Sequence, residues 1–433
     1  MRPLIGLVVP AVEQTGGVSA VARFVKDAIL STERYDLKLI SLATSAHDPC
    51  NVGITRPSTW GRGPTVAYGT WDGIPYVHVG AIAGELEFQR FRARRMLTSM
   101  VADCDILQVV CGSPAWANAV CDLGKPVAVQ CATRARVERR RRDGNPQGLA
   151  GRLRKVLTSV TDRIDNLALR KVDAIQVENP WMFEYAKRLN SGRQVDLRYA
   201  PPGIDAKLFC PLSKRPIEDD QYILCVGRLD DPRKNIGLLL ESYSRMPKAI
   251  QSTVRLVLAG ASGPPPSFWQ RAETLGLRHR ISYVERPKLQ ALVELYQKAL
   301  MFALPSDEEG LGVVLLEAMA CGVPVVSTLS GGPDGILTDS NDGFLVPIDD
   351  AEALADRMTR LCTDPILNIR MGRAGRETIE LRYAETVTAN VFQDMWDQML
   401  LKSSYYNCRP NFNNASIKDG VPLQKMGIGR QSK

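Results

Sequence analysis

Short apolar runs of strand length alternate with amphipathic stretches of helix length from one end of the chain to the other. That alternation is the pattern of parallel sheets wrapped by helices, so the expected fold class is α/β. In the first half the clearest predicted strands are Leu4–Val9, Leu37–Leu42, Ile106–Val110, Val127–Gln130 and Ala174–Val177. In the second half they are Tyr222–Val226, Val254–Ala259, Ile281–Val284, Met301–Leu304 and Val323–Ser327.

Both halves open alike. After the first strand a glycine pair, Gly16 and Gly17, leads into SAVARFVKDAIL, whose Val21, Phe24, Val25 and Ile29 recur at helical spacing. After YILCV come Gly227, Arg228 and Leu229, then Lys234 and the predicted helix IGLLLESYSRM. Ligands of doubly wound sheets bind outside the carboxyl ends of the strands, so two such halves facing each other enclose one cleft. Proline and glycine punctuate the boundary near Tyr199–Asp205. The expected organisation is a first domain over 1–200, a second over 201–382, a helix over 383–402 and a polar tail over 403–433. The helix carries Phe392, Trp396 and Met399 as an apolar stripe, and the tail lacks periodicity and is expected to be disordered. The tail's glycosylation sequon, Asn414-Ala415-Ser416, has no meaning in a cytosolic chain.

Composition agrees with two globular domains: 433 residues, 45% hydrophobic and 24% charged, exceed what one core usually holds. No stretch approaches the roughly 18 uninterrupted apolar residues of a membrane span, and residues 1–30 lack the order of a signal peptide, so a cytosolic location is expected. The ten cysteines are scattered without a CxxC pair and read as buried, reduced thiols. Cys111, Cys121 and Cys131 recur at a spacing too wide for ordinary ligand pairs, and no metal site is assigned. His78 falls in the alternating segment IPYVHVG, a strand position; His47 and His279 fall in polar loops. None has a partner identifiable from the sequence, and none is assigned to catalysis.

The net charge of +8 is unevenly spread. Residues 134–155 carry nine Arg or Lys against Glu138 and Asp143, and residues 88–96 interleave Phe with Arg. Such runs are either solvated helix faces or surfaces that attract phosphates, on an anionic membrane or a lipid-linked acceptor. Nucleic acid is disfavoured, since 134–155 contains no aromatic residue to stack on bases. The expected location is therefore cytosolic, with peripheral contact on the inner face of the membrane.

The segment LPSDEEGLGVVLLEAMACGVPVVST, Leu304–Thr328, is the richest in candidate chemistry. A buried strand ends at Pro305, Ser306–Gly312 forms a glycine-containing turn, Val313–Cys321 is a helix and Gly322 caps it. Glu309 then lies in the loop and Glu317 within the helix. The glycines 310 and 312 allow close backbone approach, and the helix N-terminus offers amides to a phosphate. Carboxylates there accept hydrogen bonds from sugar or ribose hydroxyls and stabilise oxocarbenium charge. Arg228 and Lys234 are the opposite chemistry, two cations on one loop that stabilise a departing pyrophosphate without a metal. Asp205 reads as a turn residue.

The run GRLDDPRKN, the EEGLGVVLLEAMACGVPVV segment with its E-x7-E spacing, PPGIDAKLF, GGVSAVARF and the late NDGFLVP turn resemble glycosyltransferase family 4. The likeness runs to about Leu401. It implies a GT-B fold, two Rossmann-like doubly wound domains facing a central cleft, and retaining transfer of a hexose-type sugar from a UDP- or GDP-sugar. It implies no metal and no cofactor beyond the donor, and an acceptor that is a glycan or lipid-linked, in polysaccharide or glycoconjugate biosynthesis. By that resemblance Arg228 and Lys234 hold the diphosphate, Glu317 the ribose hydroxyls, and Glu309 faces the donor sugar. Gly16 and Gly17 close over the diphosphate, and Gly227, Gly310, Leu311, Gly312 and Val313 complete the donor site. Glu309, Arg228 and Lys234 are the expected catalytic set.

Two departures from the family pattern stand out. Many members carry a histidine where this chain reads Cys131-Ala132-Thr133, and Gly335 stands where a glutamate is often found. The rival readings are a sugar-nucleotide epimerase or hydrolase on the same fold, and a binding protein that has lost the chemistry.

Overall fold

The computed structural model describes residues 2–13, 16–143, 148–213 and 221–407. The apolar runs of the first half fold as β1 (Leu4–Pro10), β2 (Asp36–Leu42), β3 (Val66–Trp71), β4 (Ile74–Val79), β5 (Ile106–Cys111), β6 (Val127–Cys131), β7 (Ala174–Val177) and β8 (Asp196–Tyr199). They form one sheet in the order β3-β4-β2-β1-β5-β6-β7-β8, parallel throughout except for the β3–β4 hairpin. The second half supplies β9 (Gln221–Arg228), β10 (Val254–Ser262), β11 (Ile281–Glu285), β12 (Met301–Leu304), β13 (Val325–Thr328) and β14 (Phe344–Val346). These form a parallel sheet in the order β11-β10-β9-β12-β13-β14.

All ten strands predicted from the apolar runs are present. The last of them begins at Val325 rather than Val323, because Pro324 has no N–H to give to a ladder. The sequence reading did not single out β3, β8 and β14. β3 is an edge strand whose Tyr68 is exposed, β8 is only partly buried, and β14 has three residues, so none shows a clear apolar run.

The chain crosses between the two halves twice, at one place. Ile204 donates its N–H to the Tyr383 carbonyl (2.8 Å), and Glu385 returns one to the Ile204 carbonyl (3.1 Å). Beyond that crossing the helix Glu385–Asn407 packs on the helix Gly17–Leu30 of the first half. Its Phe392, Met395, Trp396 and Met399 are buried in the first half's core. Phe392 meets Phe24 edge-on at 5.3 Å, and the Trp396 indole donates to Gln108 Oε1 at 2.7 Å. Of the segment 403–433 expected to be disordered, 403–407 continue this helix and 408–433, with the Asn414 sequon and Cys408, lie outside the described residues.

The described cysteines are all free, and most are buried. Among the histidines, His78 has partners that the sequence did not reveal. Its Nδ1 contacts Ser41 Oγ and its Nε2 contacts Asp48 Oδ2, both at 2.9 Å. Asp48, Cys50 and His78 each place one donor atom within 4.8 Å of the others. Both ring nitrogens of His78 are engaged by protein groups, so its work here is to fasten the loop of Asp48 to β2 and β4. Asp205 accepts from the amides of Lys207 (2.9 Å) and Leu208 (3.0 Å), the turn geometry expected of it.

Within the basic runs some basic side chains turn inward while others, Arg92, Arg95, Arg152, Arg154 and Lys155 among them, stay exposed. In 88–96, Phe91 is buried against Trp116 and Arg94 is buried, donating to the Val79 carbonyl. In 134–155, Arg134 pairs with Asp162 at 2.6 Å and stacks on Tyr185, and Arg139 pairs with Glu87. A buried cation requires a fixed partner, so Arg94 and Arg134 serve the fold. Residues 144–147 of that run lie outside the described residues. Among the described residues no helix is long and apolar enough to cross a membrane.

Candidate functional site

β9 ends in Gly227 and Arg228, and the turn that follows is built by its own side chains. Asp231 accepts from the Arg233 amide (3.0 Å) and caps the short turn Pro232–Lys234. Asn235, at φ 43, caps the next helix, Ile236–Arg245, by accepting from the Leu238 amide. This doubly capped turn fixes where Lys234 points: its Nζ lies 2.6 Å from Glu309 Oε1.

Glu309 sits in the loop after β12, as the sequence indicated. Its amide donates to the Ser330 carbonyl (2.8 Å), and its carboxylate also accepts from the buried Ser306 hydroxyl at 2.6 Å. The carboxylate is thus almost fully enclosed, with one neutral and one cationic donor on the same oxygen. Glu317 lies in the helix Val313–Ala320 and accepts from the Tyr296 hydroxyl at 2.6 Å. Burial pushes the Glu317 carboxyl up to about 7, and the Tyr296 hydrogen bond offsets only part of that. Gly312, at φ 89, starts the helix without a side-chain cap, which leaves its first amides available to an anion.

The two halves meet along this loop. Asn179 Nδ2 donates to the carbonyls of both Ala132 (2.7 Å) and Gly310 (2.6 Å), one from each half. Thr133 Oγ1 donates to Glu308 Oε1 at 3.1 Å, and Arg233 reaches Glu138 at 3.4 Å while holding Asp231 at 2.8 Å. Ala132 and Thr133 stand where the family's histidine is often found, and here they serve this contact instead. Gly310 approaches so closely that a Cβ on it would lie 2.7 Å from Ala132 Cβ. Gly335 is also confined: a Cβ there would lie 2.5 Å from Pro180 Cδ, and its carbonyl accepts from Tyr383. A glutamate at 335 has no room in this arrangement.

A cleft of about 330 Å³ opens between the halves, with Gly16, Gly17, Trp116, Arg139 and Arg228 on its walls. Arg228 is half exposed and lies 3.3 Å from Asp231. The predicted residues therefore fall into three groups. Lys234 and Glu309 are in direct contact; Arg228 shares a cleft with Gly16 and Gly17; Glu317 is held by Tyr296. The Leu311 side chain is buried in the core of the second half, so only its backbone can meet a ligand. Sequence reasoning missed Ser306, Tyr296, Glu308 and Asn179. Only Asn179 carried a signal, since Asn followed by Pro180 marks a helix start.

Two facing Rossmann-like sheets, a cleft between them and a last helix that returns to the first half define the GT-B architecture. Residues 213–378 match the family described as glycosyl transferases group 1. Among relatives, the GDP-mannose-dependent alpha-(1-6)-phosphatidylinositol monomannoside mannosyltransferase of Mycolicibacterium smegmatis is 31% identical over 201 residues, 43% of this chain and 52% of that protein. The D-inositol 3-phosphate glycosyltransferase of Kribbella flavida is 32% identical over 191 residues, 41% of this chain and 45% of that protein. The chain thus spans about half the length of the curated relatives it matches. Sucrose-phosphate synthase from Thermosynechococcus elongatus superposes with a TM-score of 0.71 at 21% identity, over 93% of this chain and 100% of that one. Anabaena HepE in complex with UDP does so with a TM-score of 0.67 at 14% identity, over 92% and 100%. These two likenesses establish the shared fold.

Proposed function

We propose that this chain is a retaining glycosyltransferase that moves a hexose-type sugar from a UDP- or GDP-sugar to a glycan or lipid-linked acceptor, without a metal. The observation that carries the reading is the Lys234–Glu309 contact, which brings together the EEGLG loop and the GRLDDPRKN turn, whose Arg228 lines the cleft. A UDP complex of HepE and a GDP-mannose-dependent relative support a nucleotide diphosphate donor.

In this reading Arg228, Lys234 and the uncapped amides after Gly312 neutralise the diphosphate as the bond from the anomeric carbon to the phosphate oxygen breaks. The bonding electrons leave with that oxygen. Glu309 stands on the sugar side, where its carboxylate stabilises positive charge at the anomeric carbon. The acceptor hydroxyl attacks from the face the phosphate is leaving, and its proton passes to the departing phosphate oxygen. Glu317 accepts hydrogen bonds from the ribose hydroxyls.

Calorimetry with UDP and GDP, followed by turnover of labelled UDP- and GDP-sugars, tests this. Binding of one diphosphate, weakened in Lys234→Ala and in Glu317→Ala, is expected. Binding of neither, or conversion of a nucleotide sugar to an epimer without acceptor, would remove the reading.

A further inference from the structure

The helix Gly148–Lys171 buries Ala168 and Leu169 at its C-terminal end, but elsewhere it turns polar side chains inward and leaves apolar ones exposed. Its inward face carries the polar residues Thr158, Thr161, Asp162 and Asp165, all buried. The two carboxylates act as fasteners: Asp165 accepts from the amides of Ala115 and Ala135, each at 2.8 Å, and Asp162 pairs with Arg134. The outward face carries Leu149, Leu153, Val156 and Leu167, which are 84%, 60%, 59% and 51% exposed. At about 100° per residue these four fall within about 60° of one another, a continuous apolar stripe about 27 Å long. A surface helix ordinarily turns such a stripe to the core, and an exposed one marks a surface awaiting an apolar partner.

Charge decides which partner. Arg152, Lys155 and Arg163 are exposed along one edge of the stripe, and the only acidic residues of the helix, Asp162 and Asp165, point inward. The outward face is therefore apolar and purely cationic. A second copy would set like charges against each other, whereas an anionic lipid surface satisfies both features. Aliphatic side chains enter the headgroup boundary while Arg and Lys reach the phosphates.

We propose that the helix Gly148–Lys171 docks the first half of the protein onto an anionic lipid surface through Leu149, Leu153 and Val156, edged by Arg152, Lys155 and Arg163. Asp165 also accepts a hydrogen bond from Ser113, a residue of the cleft wall. Docking through this helix would thus set the orientation of the cleft to the lipid plane. The proposal stands apart from the identity of the donor.

The test is co-sedimentation of the full chain with vesicles of phosphatidylcholine alone or mixed with phosphatidylglycerol. Wild type is expected to pellet with the mixed vesicles only, and less so at high salt. The triple variants Leu149→Ser/Leu153→Ser/Val156→Ser and Arg152→Gln/Lys155→Gln/Arg163→Gln are each expected to lose at least about tenfold in partition. All six positions are exposed, so both variants should keep their melting temperature and their nucleotide affinity by calorimetry. The proposal fails if wild type stays in the supernatant or pellets equally with both vesicle types. It fails equally if either variant binds as wild type does, or if sedimentation equilibrium shows a wild-type dimer that the serine variant turns into a monomer.

Discussion

Lys234 Nζ lies 2.6 Å from Glu309 Oε1, an ion pair between two loops whose sequences are 75 residues apart. Each partner keeps the other from standing as an isolated, nearly buried charge. In the proposed function a nucleotide diphosphate competes with Glu309 for the lysine, so the two residues are expected to respond to substitution in opposite ways.

Lys234→Ala should weaken nucleotide diphosphate binding by about 100-fold, the usual scale for removing one charge-stabilising donor. Glu309→Gln should bind the diphosphate at least as tightly as wild type, because the lysine has lost its anionic competitor. Sugar transfer by Glu309→Gln should nonetheless fall by about 100-fold. Calorimetry beside steady-state kinetics separates the two effects; parallel losses in both variants would contradict the assigned roles.

Burial holds the Glu317 carboxyl at about 7. Below that pH the group takes up a proton and loses acceptor capacity for ribose hydroxyls. Donor affinity should then fall as the pH drops below about 7, by up to about tenfold per unit. Glu317→Gln should be weaker at high pH and show a flat profile, measured as Kd against pH.

Gly310→Ala would place a methyl group 2.7 Å from Ala132 Cβ, so the two halves must separate. The expected result is a drop in kcat of about tenfold or more, in line with the cost of small misplacements at a reacting centre. Small-angle scattering should register a more open particle, while far-UV circular dichroism stays unchanged.

Glu178 is buried and accepts a hydrogen bond from Gln130 Nε2 at 3.1 Å. Burial pushes its carboxyl up to about 7 from an ordinary 4.5, with the Gln130 bond offsetting part. Between those values the folded chain holds a proton that the unfolded chain has released, so this group's contribution to stability declines as the pH rises through the window. The melting temperature of Glu178→Gln relative to wild type should accordingly be higher at pH 8 than at pH 6.

Phe392→Ala removes a fully buried ring that joins the last helix to the first half's core. Denaturant titration should show a loss of about 3–5 kcal/mol. Activity lost at temperatures where the variant is still folded would indicate that the returning helix also governs the relative placement of the halves.

The ten predicted strands, the helix after the glycine pair and the loop position of Glu309 were legible because apolar period, glycine and proline act over a few residues. So was the apolar stripe of Phe392, Trp396 and Met399, although not the surface it covers. The partners of the candidate site were not legible. Ser306 on Glu309, Tyr296 on Glu317 and Asn179 across the two halves are set by how strands and loops distant in sequence come to lie side by side. The basic runs show the same limit. Arg94 and Arg134 read as surface charge because a sequence does not state which of the side chains flanking a helix fold inward. In Gly148–Lys171 the carboxylates of Asp162 and Asp165 won the inward side by meeting buried donors, and Leu149, Leu153 and Leu167 were turned to the outside while Leu169 stayed in the core. Local periodicity determined the elements, and long-range burial and hydrogen-bond satisfaction decided which face of each element meets the core, because those free energies depend on neighbours that only the folded chain brings together.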